Sequence, residues 1–239
     1  MDYPKYQINF MPESYYGYCS TACFVGILNY FRYTQFNMKD TRDVMKIAKM
    51  GRYKFGVGLD TYEMWYALSR LWFKVTIWDL GRYEDQISYI NDPISYITQK
   101  HKDSKYQNFI KNWKRVDMNG NNTFDFCDTY ISKKVLECSE IDKFYNIEPL
   151  CFIKKYQNEN TLFILSVNRN VLYDQEPEEW ISWWHVVLCK WYKDWMFEIY
   201  DPGPYKKPDL IPIEKVIKAM DDLNKTYSII AVSDIDSTS

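Results

Sequence analysis

Cys19, His185 and Asp201 are the residues of this chain whose types and settings suggest chemistry. Cys19 stands just ahead of "STACFVGILNYF", in which Phe24, Ile27, Leu28 and Phe31 recur at i, i+3, i+4 and i+7. That spacing predicts a helix over about 20–33 with one apolar face and puts Cys19 in its first turn. Free N–H groups and the positive end of a helix dipole stabilise a thiolate, so a cysteine there is open to activation as a nucleophile. The competing reading is a buried, inert thiol, since free cysteine is among the most buried residue types. Cys23 lies one helical turn further on, behind the helix start, and is expected to pack inside the helix layer.

The chain has two histidines. His101 sits among lysines in "YITQKHKD" and reads as solvated. His185 lies within the strand pattern "WWHVVLCKW", and a second strand pattern, "WMFEIY", ends at Asp201 in "YDPGP". A short turn at "YKD" joins the two as a hairpin and brings the Asp201 carboxylate to the His185 ring. A histidine with such a partner is held in one tautomer and serves as a general base. Read singly, His185 is a satisfied strand residue and Asp201 a strand-ending turn residue. Read together with Cys19, they are the three parts of a Cys-His-Asp nucleophilic site. Trp183, Trp184, Trp191 and Trp195 flank the hairpin, as groove lining beside His185 or as core.

These residues need a scaffold of helices followed by strands. Further helices are expected at about 40–50, behind Asp40 and Thr41, and at about 60–72, where Asp60 and Glu63 have N-cap and N3 spacing and Met64, Trp65, Leu68 and Leu71 form the apolar stripe. "FKVTIW" follows as a strand. One or two helices are expected around "EDQISYINDPISYITQ", broken at Pro93, and then an Asn-Gly turn in "DMNGNNTFDF". That turn has Gly120 misplaced for an EF-hand and no closing Glu. After residue 148 the pattern becomes β-rich, with "PLCFIKKY", "NTLFILSVN", the two hairpin strands and "YSIIAVSD", and with a helix at "IPIEKVIKAM". Helices first and an antiparallel sheet after them give an α+β fold. No linker or repeat divides the chain, so one domain over 1–239 is expected, with a frayed tail from 234.

Composition narrows the function classes. Lys plus Arg (30) nearly balance Asp plus Glu (32), so no basic field points to nucleic acid or an anionic membrane. Six cysteines without a CxxC pair indicate neither a zinc knuckle nor a disulfide scaffold. No run approaches a membrane span and the start lacks a secretory pattern, so a cytoplasmic chain is expected. The 46% hydrophobic content suffices for a sizeable core.

With these motifs in place, the sequence resembles the papain-like cysteine peptidases and, within them, the C39-like group. Leader-peptidase members of that group carry a Gln, five residues, and then a Cys-Gly-x-Ala-Cys-like helix start; the matching stretch here is "ESYYGYCSTACFVGILNYF". The His-Val-Val strand and the strand closing in Asp-Pro match as well. "GLDTYEMWYALSRLWFKV" is similar to the group's second helix and following strand, and "PLCFIKKYQNENTLFILSVN" to the strand pair ahead of the histidine. The resemblance implies a papain-like fold with Cys19 as nucleophile, His185 as base and later acid, and Asp201 as the orienting group. It also makes Glu13 the oxyanion-hole candidate, at the place of the group's glutamine. An ionised carboxylate there repels the charge it would have to stabilise. Ser20 replaces the usual Gly.

Three functions fit these residues. The first is a cysteine peptidase that cleaves a peptide or amide bond through a thioester. The second is an acyl- or peptidyl-transferase that uses the same triad. The third, favoured by Glu13, is a catalytically silent interaction module. The expected partner is a peptide or protein substrate, with no cofactor, metal, nucleic acid or membrane.

Overall fold

The computed structural model describes residues 19–32, 36, 42, 43, 46, 61–79, 114–116, 122–124, 143, 144, 148–158, 160–176, 184–191, 194–203, 209–221 and 228–234. Its elements run in the order α1 (Cys19–Arg32), α2 (Thr61–Arg70), β1 (Phe73–Asp79), β2 (Lys114–Val116), β3 (Asn122–Phe124), β4 (Lys143–Phe144), α3 (Pro149–Tyr156) and β5 (Thr161–Asn168). Then come α4 (Arg169–Tyr173), β6 (Trp184–Trp191), β7 (Met196–Tyr200), β8 (Asp209–Pro212), α5 (Ile213–Asp221) and β9 (Ser228–Asp234). Arg42, Asp43 and Lys46 are helical, within the stretch where a helix over 40–50 was expected.

Seven strands form one sheet in the order β4-β1-β9-β5-β6-β7-β8. Every neighbouring pair is antiparallel except the short β1–β4 contact. The class is therefore α+β. β2 and β3 form a separate hairpin whose turn, the expected Asn-Gly turn, lies outside the described residues.

Alternation along the strands divides the core in two, because successive side chains point to opposite faces. On one face Leu162, Ile164, Leu188, Val75, Ile230 and Val232 pack with α1 and α2. On the other, Phe163, Leu165, Val187, Phe197, Ile229 and Ala231 pack with residues of α3, α4 and α5. Each fully buried Leu, Ile or Phe contributes about 1.5–3 kcal/mol, so both layers are strongly held. Helices thus cover the sheet on both sides. The N-terminal helices form only one of these layers.

α1 is buried almost continuously from Ser20 to Leu28 rather than along one stripe, which marks it as a core helix. In α2 the expected Met64, Trp65 and Leu68 are buried, together with Ala67. "PLCFIKKY", expected as a strand, is α3. Pro149 at its first turn needs no hydrogen bond there, Phe152 and Ile153 are buried, and Lys154 and Lys155 complement the C-terminal end of the dipole. The helix expected over "IPIEKVIKAM" begins at Ile213, and Ile211 and Pro212 belong to β8. Asp234, placed in a frayed tail by the sequence, ends β9 opposite Phe73 and pairs with Arg32 at 3.1 Å. Among the described residues no helix is long and apolar enough to cross a membrane.

Candidate active site

α1 runs along β6 in the same direction. Its second turn is tied to Val186, where the Cys23 thiol donates to the carbonyl at 3.6 Å, and its last turn to Lys190, whose ammonium donates to the Tyr30 hydroxyl at 3.0 Å. This alignment leaves Cys19, the first residue of the helix, at the His185 end of the strand. The thiol and the imidazole hydrogen-bond there.

The β6–β7 hairpin places the acid. Leu188 pairs with Tyr200, so Asp201, the next residue, lies beyond the last paired position and diagonal to His185 on the same face. The turn differs from the expected "YKD": its described residues Asp194 and Trp195 have left-handed backbone, with φ of 57° and 62°. Such backbone matches the twist of a hairpin. His185 Nε2 lies 2.7 Å from Asp201 Oδ1. Because Nε2 is committed to the carboxylate, Nδ1 is the ring nitrogen left for Cys19. The carboxylate is also anchored from its own chain, since the Gly203 N–H donates to Oδ1 at 2.6 Å.

Burial and charge set the protonation of the three groups together. Burial works against a charged ring, but its hydrogen bonds with Asp201 and Cys19, and then their charges, raise the His185 pKa to about 9. Burial also pushes the Cys19 thiol up, yet the His185 hydrogen bond and charge, with the backbone N–H groups of Val186 and Ser20, bring it below its ordinary value. Asp201 is held below its ordinary value against burial by His185, Gly203 and Tyr173. All three shifts favour a thiolate–imidazolium–carboxylate arrangement. Cys23 moves the other way. Burial first, then the charges of Cys19, Asp201 and Cys189, push its thiol well above the ordinary range. It is an inert, packed thiol.

Sequence reasoning thus named three residues that the fold brings together, and it placed Cys23 behind them. Glu13, His101 and Trp183 lie outside the described residues. Trp191 and Trp195 stack edge to face at 5.9 Å at the turn end of the hairpin, away from His185, with Trp191 also against Phe197. They form a packing cluster there. Two residues at the site were not foreseen. Gly203 could have been read from the Asp-Pro-Gly run, a turn in which an Asp side chain takes a backbone N–H two residues on. Tyr173 has no local signal. Among the described residues no cluster of His, Cys, Asp and Glu could hold a metal ion.

A scan against models of protein families finds no match to this chain, and neither does a search of curated proteins or of solved structures.

Proposed function

We propose that the chain is a papain-like cysteine hydrolase that cleaves a peptide or amide bond through a Cys19 thioester. The observation that supports this reading is the convergence of Cys19, His185 and Asp201, with the thiol pKa lowered and the imidazole pKa raised. The Cys19 thiolate attacks the carbonyl carbon, and the electron pair of the C=O bond moves to oxygen. The first N–H groups of α1, which have no partner within the helix, are suited to receive that oxyanion. His185 Nδ1 then gives its proton to the leaving amine as the tetrahedral adduct collapses to a thioester. Asp201 keeps the ring oriented throughout. In the second half, His185 takes a proton from water, the hydroxide oxygen bonds to the acyl carbon, and the C–S bond breaks to return the thiolate.

The test is a peptide-library digest with intact-mass detection of the acyl-enzyme. Cleavage, with an acyl group on Cys19 that water removes, supports hydrolysis. Faster release on adding a primary amine, with the acylated amine as product, assigns the transferase chemistry instead. A wild-type protein that neither cleaves nor acylates contradicts both and leaves an interaction module.

A further inference from the structure

Tyr173 ends α4, the five-residue helix that follows β5 without a loop. Asn168 caps that helix by accepting from the N–H groups of Asn170 and Val171, and it is also paired with Trp184, next to His185. The cap therefore fixes α4 at the His185 end of the sheet. The Tyr173 ring is half-buried there, its hydroxyl oxygen is buried, and it interacts with the Asp201 carboxylate more loosely than His185 does.

The Asp201 side chain is only 2% exposed. Its Oδ1 takes both short bonds, from His185 Nε2 and from the Gly203 N–H, while Oδ2 is buried without a close donor. A buried carboxylate oxygen that lacks a donor is costly, and a carboxylate held at one oxygen is free to swing about it. Among the described residues, the other charged or titratable groups that act on Asp201 or Tyr173 are His185 from β6, Cys23 from α1, Asp209 of β8 and Arg169 of α4, whose guanidinium also stands beside Gly203. A phenol whose ionisation is pushed up by burial and by the Asp201 charge stays a donor.

We propose that Tyr173 is a positioning residue of this site, whose hydroxyl donates to Asp201 Oδ2 and so fixes the carboxylate with Oδ1 aimed at His185. The inference rests on the triad reading for its functional meaning, but the contact itself is testable without turnover.

The test is urea unfolding of the full chain as a function of pH, comparing wild type with Tyr173→Phe, each also in an Asp201→Asn background. Phenylalanine keeps the ring and removes only the donor. If the hydroxyl serves the ionised carboxylate, Tyr173→Phe lowers the folding equilibrium constant by roughly tenfold at neutral pH. That deficit shrinks as the pH falls through the carboxylate range, and it is at least halved in the Asp201→Asn background. A deficit that is the same at every pH and in both backgrounds makes Tyr173 a packing residue and overturns the proposal, as does the absence of any deficit. Neither result depends on whether Cys19 acylates, so failure here is distinct from failure of the hydrolase reading.

Discussion

The Cys23 thiol donates to the Val186 carbonyl at 3.6 Å, a bond that joins the helix carrying the candidate nucleophile to the strand carrying its base. Val186 serves both thiols, because its N–H also supports a thiolate at Cys19. Cys23 is therefore structural. Cys23→Ala is expected to lose about 1–2 kcal/mol of stability, from the vacated volume and the orphaned carbonyl. It should keep Cys19 reactivity towards iodoacetamide within about threefold. Urea unfolding together with labelling followed by peptide mapping measures both effects.

Asp201→Asn removes the charge that helps hold the imidazolium. The His185 titration midpoint should fall from about 9 towards its ordinary 6.5. With only two histidines in the chain, ring 1H–15N NMR reads this directly. Turnover on any substrate found should drop by roughly 10²-fold or more, because an amide no longer selects the productive tautomer.

The pH dependence of stability follows from two opposed shifts. His185 has a raised folded pKa, so its contribution is complete below about 6.5 and is lost as the pH rises towards about 9. Cys19 has a lowered folded pKa, so its contribution is present above the ordinary 9.0 and is lost as the pH falls through the folded value. Over the range between them the two slopes offset each other. Wild-type stability should therefore fall less steeply between about pH 6.5 and 9 than it would with the His185 shift alone. Cys19→Ala leaves His185 with Asp201 alone, and its melting temperature should decline over the same range.

Gly203→Ala tests the carboxylate anchor. An added Cβ would stand 2.8 Å from Asp201 Oδ1, closer than such contacts allow, so the carboxylate or the turn must shift. Cys19 labelling at about pH 6 should slow by roughly tenfold while the far-ultraviolet circular dichroism spectrum is unchanged.

Much of this arrangement was legible because it is written locally. β1, β5, β6, β7 and β9 carry β-branched and aromatic runs, and their register follows from alternation once one face is buried. The Cys19, His185 and Asp201 positions were readable because each is tied to an element end or a strand. α3 was misread because "PLCFI" is a short apolar run, and such a run has no period to separate helix from strand. Pro149 was the available helix signal. The covering of the second sheet face by α3, α4 and α5 and the Tyr173–Asp201 contact depend on distant packing, which no short window encodes.

In the proposed site, His185 holds Cys19 as a thiolate. The most direct measurement is the rate of iodoacetamide alkylation of each cysteine at about pH 6, in wild type and in His185→Ala. An ordinary thiol is almost wholly protonated there. Wild-type Cys19 should be alkylated at least tenfold faster than Cys23, Cys151 and Cys189, and His185→Ala should abolish this preference. Equal rates at Cys19 in the two proteins, or a wild-type Cys19 no faster than the exposed Cys151, would contradict it.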